Sequence, residues 1–457
     1  MSLPGWIRSR WWAPVVLVIA AFALFWPVLG LSLLSDDHVA VWRTGVHGGP
    51  WRTGFFRPLA DLTIRWGGLL HGPDALGYRV FNVALHGVNT WLVLVLGRQW
   101  LGPTRGPWAA WMAAVLFLVY PFHLESVVWI VGRESAMGTT FSLIALVVLG
   151  SDAPEARRAW ASAGAFFLGA LCYESALLLP LIVLPLVATR QPVAWPRFGR
   201  WALAWGVAVL AQVGLRMLLQ GDLKDSYGGG FFAHDGLTYA LNAPKVLGRL
   251  FLPPTPEPGE QVARFAALLF VILVVIIVWA RRARRSPGSM SPVEAVLWSL
   301  LVSCVLPVLG GVSTRTSESD RFLYLPSVFL ALLLAFALTQ FRNRHLRNIG
   351  FVVLVAASVQ FTWKGLLDWK AASERTAEVI AGLPPTPAKG RLLVQGLPDN
   401  IGGAFVFRNG FAEALLLAGR DTARIVVVPP DTLFLDRAAP VEVGPSDRVH
   451  DFGGRLP

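Results

Sequence analysis

Residues 11–42 read WWAPVVLVIAAFALFWPVLGLSLLSDDHVAVW. No charged side chain interrupts positions 11–34, and a bilayer core needs roughly 20 apolar residues per helix. The run is longer than the apolar part of a typical signal peptide, and no convincing cleavage site ends it, so it reads as a retained signal anchor. Two adjacent carboxylates, Asp36 and Asp37, and then His38 close it. One aspartate at a membrane-helix end is ordinary interface chemistry; a pair asks for a chemical reason.

The rest of the chain has the same character. Its 457 residues are 54% hydrophobic and only 15% charged, against about 25% charged in a soluble domain. Mean hydropathy is +0.55. This composition predicts an all-α polytopic membrane protein. Eleven apolar segments qualify as spans: 11–34, 79–101, 107–122, 135–150, 159–173, 175–189, 200–219, 263–280, 293–312, 322–340 and 348–367. The segments 135–150 and 175–189 are short enough to be read as partly re-entrant. With the N-terminus in the cytoplasm, every inside segment is short and basic, as in Arg98 with Arg105, Arg157 with Arg158, and the run Arg281 to Arg285. That is a positive-inside pattern. It accounts for most of the +12 net charge without a nucleic-acid partner. Cys172 and Cys304 lie in apolar segments and read as small core residues. An odd span count places the C-terminus outside. Residues 1–369 then form the membrane domain and 370–457 a small extracytoplasmic α/β module, with a strand-like ARIVVVPP and a helix-like GGAFVFRNGFAEALLLAG. No repeat of period 20–50 and no pair of matching halves is visible, which counts against a carrier.

Polar residues collect on the outer side: Asp36 and Asp37; Arg57 in WRTGFFRPLADLTIRW; His123, Glu125, Arg133 and Glu134 in YPFHLESVVWIVGRESAMG; Glu174 in CYESALLLP; and Arg321 and Tyr324 in TRTSESDRFLYLPS. Each also has a plain structural reading. The aspartate pair fits a solvated helix end or an N-cap, and His38 reads as their neighbour. His123, Glu125 and Glu134 lack metal-ligand spacing, so no metal or other cofactor is assigned. Glu174 sits between apolar arms, where an acid costs roughly 2.5–3.5 kcal/mol at a helix centre, which favours a paired or functional role. Gly228, Gly229 and Gly230 fit a turn as well as a phosphate cradle. Arg321 fits interfacial snorkelling equally well.

Taken together, SDD after the first helix, FFRPLADLTIRW with LGYRVFNVALHGVNTWLV, YPFHLESVVWIVGRESAMGTTFSLIAL, and the late SDRFLYLPSVFLALLLA resemble the GT-C glycosyltransferases. The likeness is greatest to the membrane region of the transmembrane O-mannosyltransferases that carry tetratricopeptide repeats. It covers residues 30–370 in order and spacing. This chain departs from that family in lacking the repeats and in carrying Asp320 where the family motif usually has Glu.

The resemblance implies a polyprenyl-phosphate-linked sugar donor, an acceptor hydroxyl on a protein, glycan or lipid, and inverting transfer at the outer face of the cytoplasmic membrane. A hydroxyl is a poor nucleophile until its proton is removed, and a positioned carboxylate contributes about 10²–10⁴-fold. On this reading Asp36 is the base and Asp37 its support, although residue types alone do not order the two. Arg57, Arg133, Arg321 and Tyr324 are the candidates for the departing phosphate, since guanidinium forks pair phosphate oxygens bidentately. His38, His123, Glu125, Glu134 and Glu174 would shape the cavity, with Glu174 pairing one of the arginines. Two other classes fit the same composition: a flippase of lipid-linked sugars, and a non-catalytic membrane assembly protein docking through residues 370–457.

Overall fold

The structure is a computed structural model that describes residues 12–50, 55–189, 195–221, 236–266, 268–269, 290–428 and 443–453. Most of the expected span 263–280 and the glycines 228–230 lie outside the described residues. The other ten expected segments fall on helices. In chain order the longer helices are α1 (Trp12–Phe25), α2 (Pro58–His71), α3 (Ala75–Trp100), α4 (Pro107–Leu118), α5 (Arg133–Leu149) and α6 (Glu155–Ala170). There follow α7 (Leu179–Ala188), α8 (Trp195–Gln220), α9 (Gly236–Phe251), α10 (Pro292–Ser303), α11 (Tyr324–Leu338) and α12 (Arg344–Gly382).

The expected count of about eleven spans exceeds the number of described helices that qualify by length and composition. Among the described residues, five helices are long and apolar enough to cross a membrane, or six if one bent pair counts as a single span. That pair is Pro107–Leu118 with Pro121–Val127, bent by 52°. The break has a local cause: Pro121 forces the residue before it out of the helical region, and Tyr120 sits at φ −59°, ψ 124°. Helices α5 and α6, with 17 and 16 residues, fall short of a full crossing. The chain is an integral membrane protein built from helices of unequal reach.

Helix α3 is the hub, packed by α1, α4 and α5, while α11 closes on α4 and α10. Apolar burial cannot select partners inside a bilayer; close approach and polar bonds do that. Gly87 lies against Val18 and Gly97 against Ala110, where a Cβ would crowd the neighbouring helix. The Asn89 amide donates to the Ala136 carbonyl at 3.0 Å, and its oxygen accepts from Thr140 at 2.7 Å. Ser162 donates to the Ala145 carbonyl at 2.9 Å.

Helix α12 has 39 residues, about 58 Å at 1.5 Å per residue. It is far longer than the apolar core, so it carries the chain out of the bundle, running unbroken through position 370. A small C-terminal fold follows. Strands β1 (Leu392–Gln395), β4 (Ile425–Val427) and β5 (Arg448–Asp451) form a parallel sheet in the order β4-β1-β5. Strands β2 (Asn400–Ile401) and β3 (Ala404–Phe405) pair antiparallel, and helix α13 spans Phe411–Leu417. The α/β character expected of the tail is present. Its buried Leu392, Val394, Phe405, Phe407 and Phe411 join the same apolar cluster as the bundle.

Candidate active site

The loop after α1 turns back at Ser35, a non-glycine residue at φ 48°. Such a conformation costs about 1–3 kcal/mol unless its surroundings hold it. They do here: the Ser35 amide donates to the Val406 carbonyl at 2.9 Å, and the Ser35 hydroxyl accepts from the Asn409 amide at 3.3 Å. The turn launches a short helix, Asp36–Val39, which runs into a π-helical segment, Ala40–Val46. The two aspartates therefore face different surroundings.

Asp37 is fully buried. One oxygen accepts from the Val131 amide at 3.2 Å and the other from the Leu34 amide at 3.3 Å. Burial pushes its pKa up to about 7, against the pull of the Arg79 guanidinium. Asp36 is only half-buried. Burial raises its pKa too, opposed by the nearby Asn409 side chain and by the positive charge of Arg321. His38 packs its ring on Phe407 at 5.9 Å between centroids, and burial lowers its pKa to about 4, so it is neutral at pH 7.

Three arginines at this end of the bundle hold four ion pairs. Arg321 meets Glu125 with its guanidinium and donates its backbone amide to the same carboxylate at 2.9 Å. Its side chain keeps 20% of its surface exposed and lies over Trp129 and Phe322. Arg57 is clamped from both sides. It pairs Glu174 through Nε at 2.8 Å and Nη2 at 2.6 Å, and meets Glu134 through Nη1. Its guanidinium also stacks on Tyr173 at 4.5 Å. The fourth pair, Arg249 with Asp320 at 2.5 Å, is buried behind Phe122.

The remaining expected residues have other engagements. Arg133 is buried and donates to the Ile130 and Tyr78 carbonyls, each at 3.0 Å. Tyr324 is buried on α11, where its hydroxyl meets His86 Nδ1 at 2.8 Å and the Asn89 amide at 3.2 Å. His123 bonds Ser327 at 2.7 Å within the same aromatic cluster. The structure thus sets Arg321 and Glu134 within electrostatic reach of Asp36, pairs Arg321 with Glu125, ties Arg57 to Glu134 and Glu174, and buries Arg133, Tyr324 and His123. Among the described residues, no group of three or more His, Cys, Asp or Glu side chains is arranged to hold a metal ion.

No family model matches the chain. Over 144 residues it is 33% identical to Protein O-mannosyl-transferase Tmtc1 of Drosophila melanogaster, a match taking in 27% of this chain and 16% of that protein. Over 93 residues it is 37% identical to Protein O-mannosyl-transferase F38B6.6 of Caenorhabditis elegans, covering 20% of this chain and 14% of that one. These curated relatives are therefore matched over less than two thirds of their length. By fold the chain is similar to the mycobacterial arabinofuranosyltransferase AftD, with a TM-score of 0.54 and 18% sequence identity over 94% of this chain and 32% of that chain. The fold is of the GT-C type.

In this GT-C-like site the sequence reading overlooked three residues. Arg79 caps the carbonyls of Leu31 and Ser32 and so fixes the strand of chain entering the aspartates. A basic residue at the edge of the apolar run 79–101 was the available signal. Arg249, in VLGRLFLPP, offered the same signal. Asn409, whose backbone amide donates to Ser35 across 374 positions of the chain, offered none.

The buried Asp37 has a measurable consequence. Its folded pKa stands above the ordinary value, so the folded chain holds a proton that the unfolded chain has already released. Its contribution to stability therefore weakens as pH rises from 3.8 toward 7. Between pH 8 and pH 6, wild type should gain about 1 kcal/mol of stability relative to Asp37→Asn. His38 is common to both chains and cancels. Thermal melting at the two pH values checks this; a constant gap between the two proteins refutes it.

Proposed function

We propose that the protein is a membrane glycosyltransferase. It moves a sugar, a hexose such as mannose, from a polyprenyl-phosphate donor to an acceptor hydroxyl with inversion, at the outer face of the cytoplasmic membrane. The observation that carries this reading is the unequal treatment of the aspartates: Asp37 is sealed against backbone amides, while Asp36 stays partly exposed within the field of Arg321. A flippase has no use for a partly exposed base in the field of a cation. The names of the relatives and the GT-C-type fold support the same class.

In this mechanism Asp36 takes the proton from the acceptor hydroxyl. The hydroxyl oxygen attacks the anomeric carbon from the face opposite the phosphate, as in inverting chemistry with one base. The carbon–oxygen bond to the phosphate breaks and its electron pair leaves with the lipid phosphate. That growing charge needs a preorganised cation. Arg321 is the donor-phosphate residue, with Glu125 as the positioning residue that aims it. Arg57, already committed to two carboxylates, sets the position of Glu134 and Glu174. Arg133 and Tyr324, engaged in the interior, are not assigned to the phosphate.

The test uses the purified protein in nanodiscs with radiolabelled polyprenyl-phosphate mannose and, separately, glucose. Release or transfer of label from the lipid is the expected result. Binding of both lipids without any loss of label would turn the reading toward transport.

A further inference from the structure

Two turns present the base and the cation of the proposed chemistry, and both are strained. Ser35, at φ 48°, opens the short helix that begins at Asp36; Ser319, at φ 68°, opens the helical turn Asp320–Leu323 that holds Arg321. Among the described residues these are the two non-glycine residues at positive φ. Such conformations persist only where the surroundings over-determine them. One C-terminal segment, residues 398–410, supplies surroundings for both. Its strands β2 and β3 pair across Gly402 and Gly403. The Val406 and Phe407 amides donate back to the Asp399 and Pro398 carbonyls at 2.9 and 3.0 Å. One end of this hairpin meets the residues just before Ser319. The Ser317 hydroxyl donates to the Gly402 carbonyl at 3.2 Å, and Glu318 accepts from Arg408 at 2.7 Å and from the Asn400 side chain at 3.1 Å. The other end meets Ser35. Its amide donates to the Val406 carbonyl at 2.9 Å, and its hydroxyl accepts from the Asn409 backbone amide at 3.3 Å. Gly410, at φ +80°, lies so close that a Cβ would collide with the Ser35 carbonyl. Beyond it, Glu413 pairs Arg43 of the π-helical segment at 2.6 Å.

We propose, on the glycosyltransferase reading above, that residues 398–410 are a brace that sets the Asp36 turn and the Arg321 turn relative to each other, with Gly410 and Glu318 as positioning residues. Inverting transfer places the attacking oxygen and the leaving phosphate on opposite faces of the sugar. The base and the cation must therefore keep a fixed separation, and small misplacements are costly. They stand on loops far apart in the chain, and neither loop is in a conformation it would hold alone. The hairpin bonds to both and is closed by its own backbone bonds, so a shift at one end is carried to the other. Gly410 is required on the Asp36 side because a side chain there would push the Ser35 carbonyl. Glu318 is required on the Arg321 side because it is the acceptor by which Arg408 and Asn400 hold that turn.

The experiment compares full-length wild type, Gly410→Ala, Glu318→Ala, Glu318→Gln and Gly390→Ala in nanodiscs with radiolabelled polyprenyl-phosphate mannose. Gly390 is the matched control. It also sits at positive φ, 78°, and a Cβ there would collide with the Ser446 carbonyl, within the C-terminal fold. Gly410→Ala should lower kcat about 10²-fold with KM for the lipid little changed, as a displaced base does. Glu318→Ala should raise that KM about tenfold, because Arg321 is no longer held toward the phosphate. Glu318→Gln, which still accepts from Arg408 and Asn400, should restore most of it, and Gly390→Ala should keep both constants. Wild-type kcat in Gly410→Ala, wild-type KM in Glu318→Ala, or the same losses in Gly390→Ala would overturn the proposal while the transferase reading stands. If Gly410→Ala does not fold, the Glu318 variants decide alone. If wild type itself releases no label, the transferase reading fails, and the brace is judged by hydrogen exchange of the two turns. Faster exchange over residues 33–46 in Gly410→Ala and over 315–324 in Glu318→Ala, with neither in Gly390→Ala, upholds it; any other pattern overturns it.

Discussion

Asp36→Asn is expected to lower sugar release from the lipid donor by about 10²–10⁴-fold, with the melting temperature close to that of wild type. The amide keeps the size and shape of the carboxylate but cannot take a proton at neutral pH. Asp36 is half-buried and sits at the start of its short helix, so the change creates no cavity. On the proposed mechanism the donor should bind as before, because Arg321 would meet its phosphate and apolar helix faces its tail. The loss should thus fall on kcat, as for an interaction made only in the transition state. Asp37→Asn acts differently. Asp37 accepts from the Val131 and Leu34 amides at 3.2 and 3.3 Å, so part of its effect is on loop geometry, and it should lose stability at acidic pH relative to wild type. Equal activity of Asp36→Asn and wild type would remove Asp36 as the base and return the flippase and assembly-protein readings to first place.

Arg57→Met should be the most destabilising single change at the site. The guanidinium meets both Glu134 and Glu174, with side-chain exposures of 4% for Arg57, 5% for Glu134 and 12% for Glu174. Removing the shared cation leaves two acids facing each other in a shielded place. Breaking a buried pair in this way costs about 3–5 kcal/mol, since an uncompensated charge remains. Arg57→Met with Glu134→Gln and Glu174→Gln should recover much of that loss, because the triple change removes the whole cluster. Thermal unfolding in detergent reads both effects. An Arg57→Met protein as stable as wild type would show that these acids are neutral or hydrated in the fold, and that the clamp holds little.

How much of this was legible beforehand follows from the range of each interaction. Ten apolar segments were readable because helix formation in a bilayer depends on local composition and length. Span lengths were not, because the bend at Tyr120–Pro121 and the 39-residue run of α12 depend on what each helix meets at its end. Within the site, Asp36, Asp37, Arg321, Glu125 and Glu174 stood out as charged groups beside apolar runs, where a charge needs a reason. Pairing Glu174 with an arginine was legible in kind; that the partner is Arg57, shared with Glu134, was not. Arg133 and Tyr324 are buried with protein partners, which the residue types did not foretell. Residue type says that a group can bind phosphate, but burial and prior partners decide whether it is available.

By itself the sequence determined a polytopic helical membrane protein with its acids and arginines set at the ends of apolar runs, because hydropathy and charge are properties of short windows. Only the tertiary structure decided the rest. It sealed Asp37 and left Asp36 partly exposed, although the two are neighbours in the chain, and it brought the Asn409 backbone amide to the Ser35 hydroxyl across 374 positions of sequence. Solvent access and contacts between distant segments are set by packing, and no local pattern encodes them.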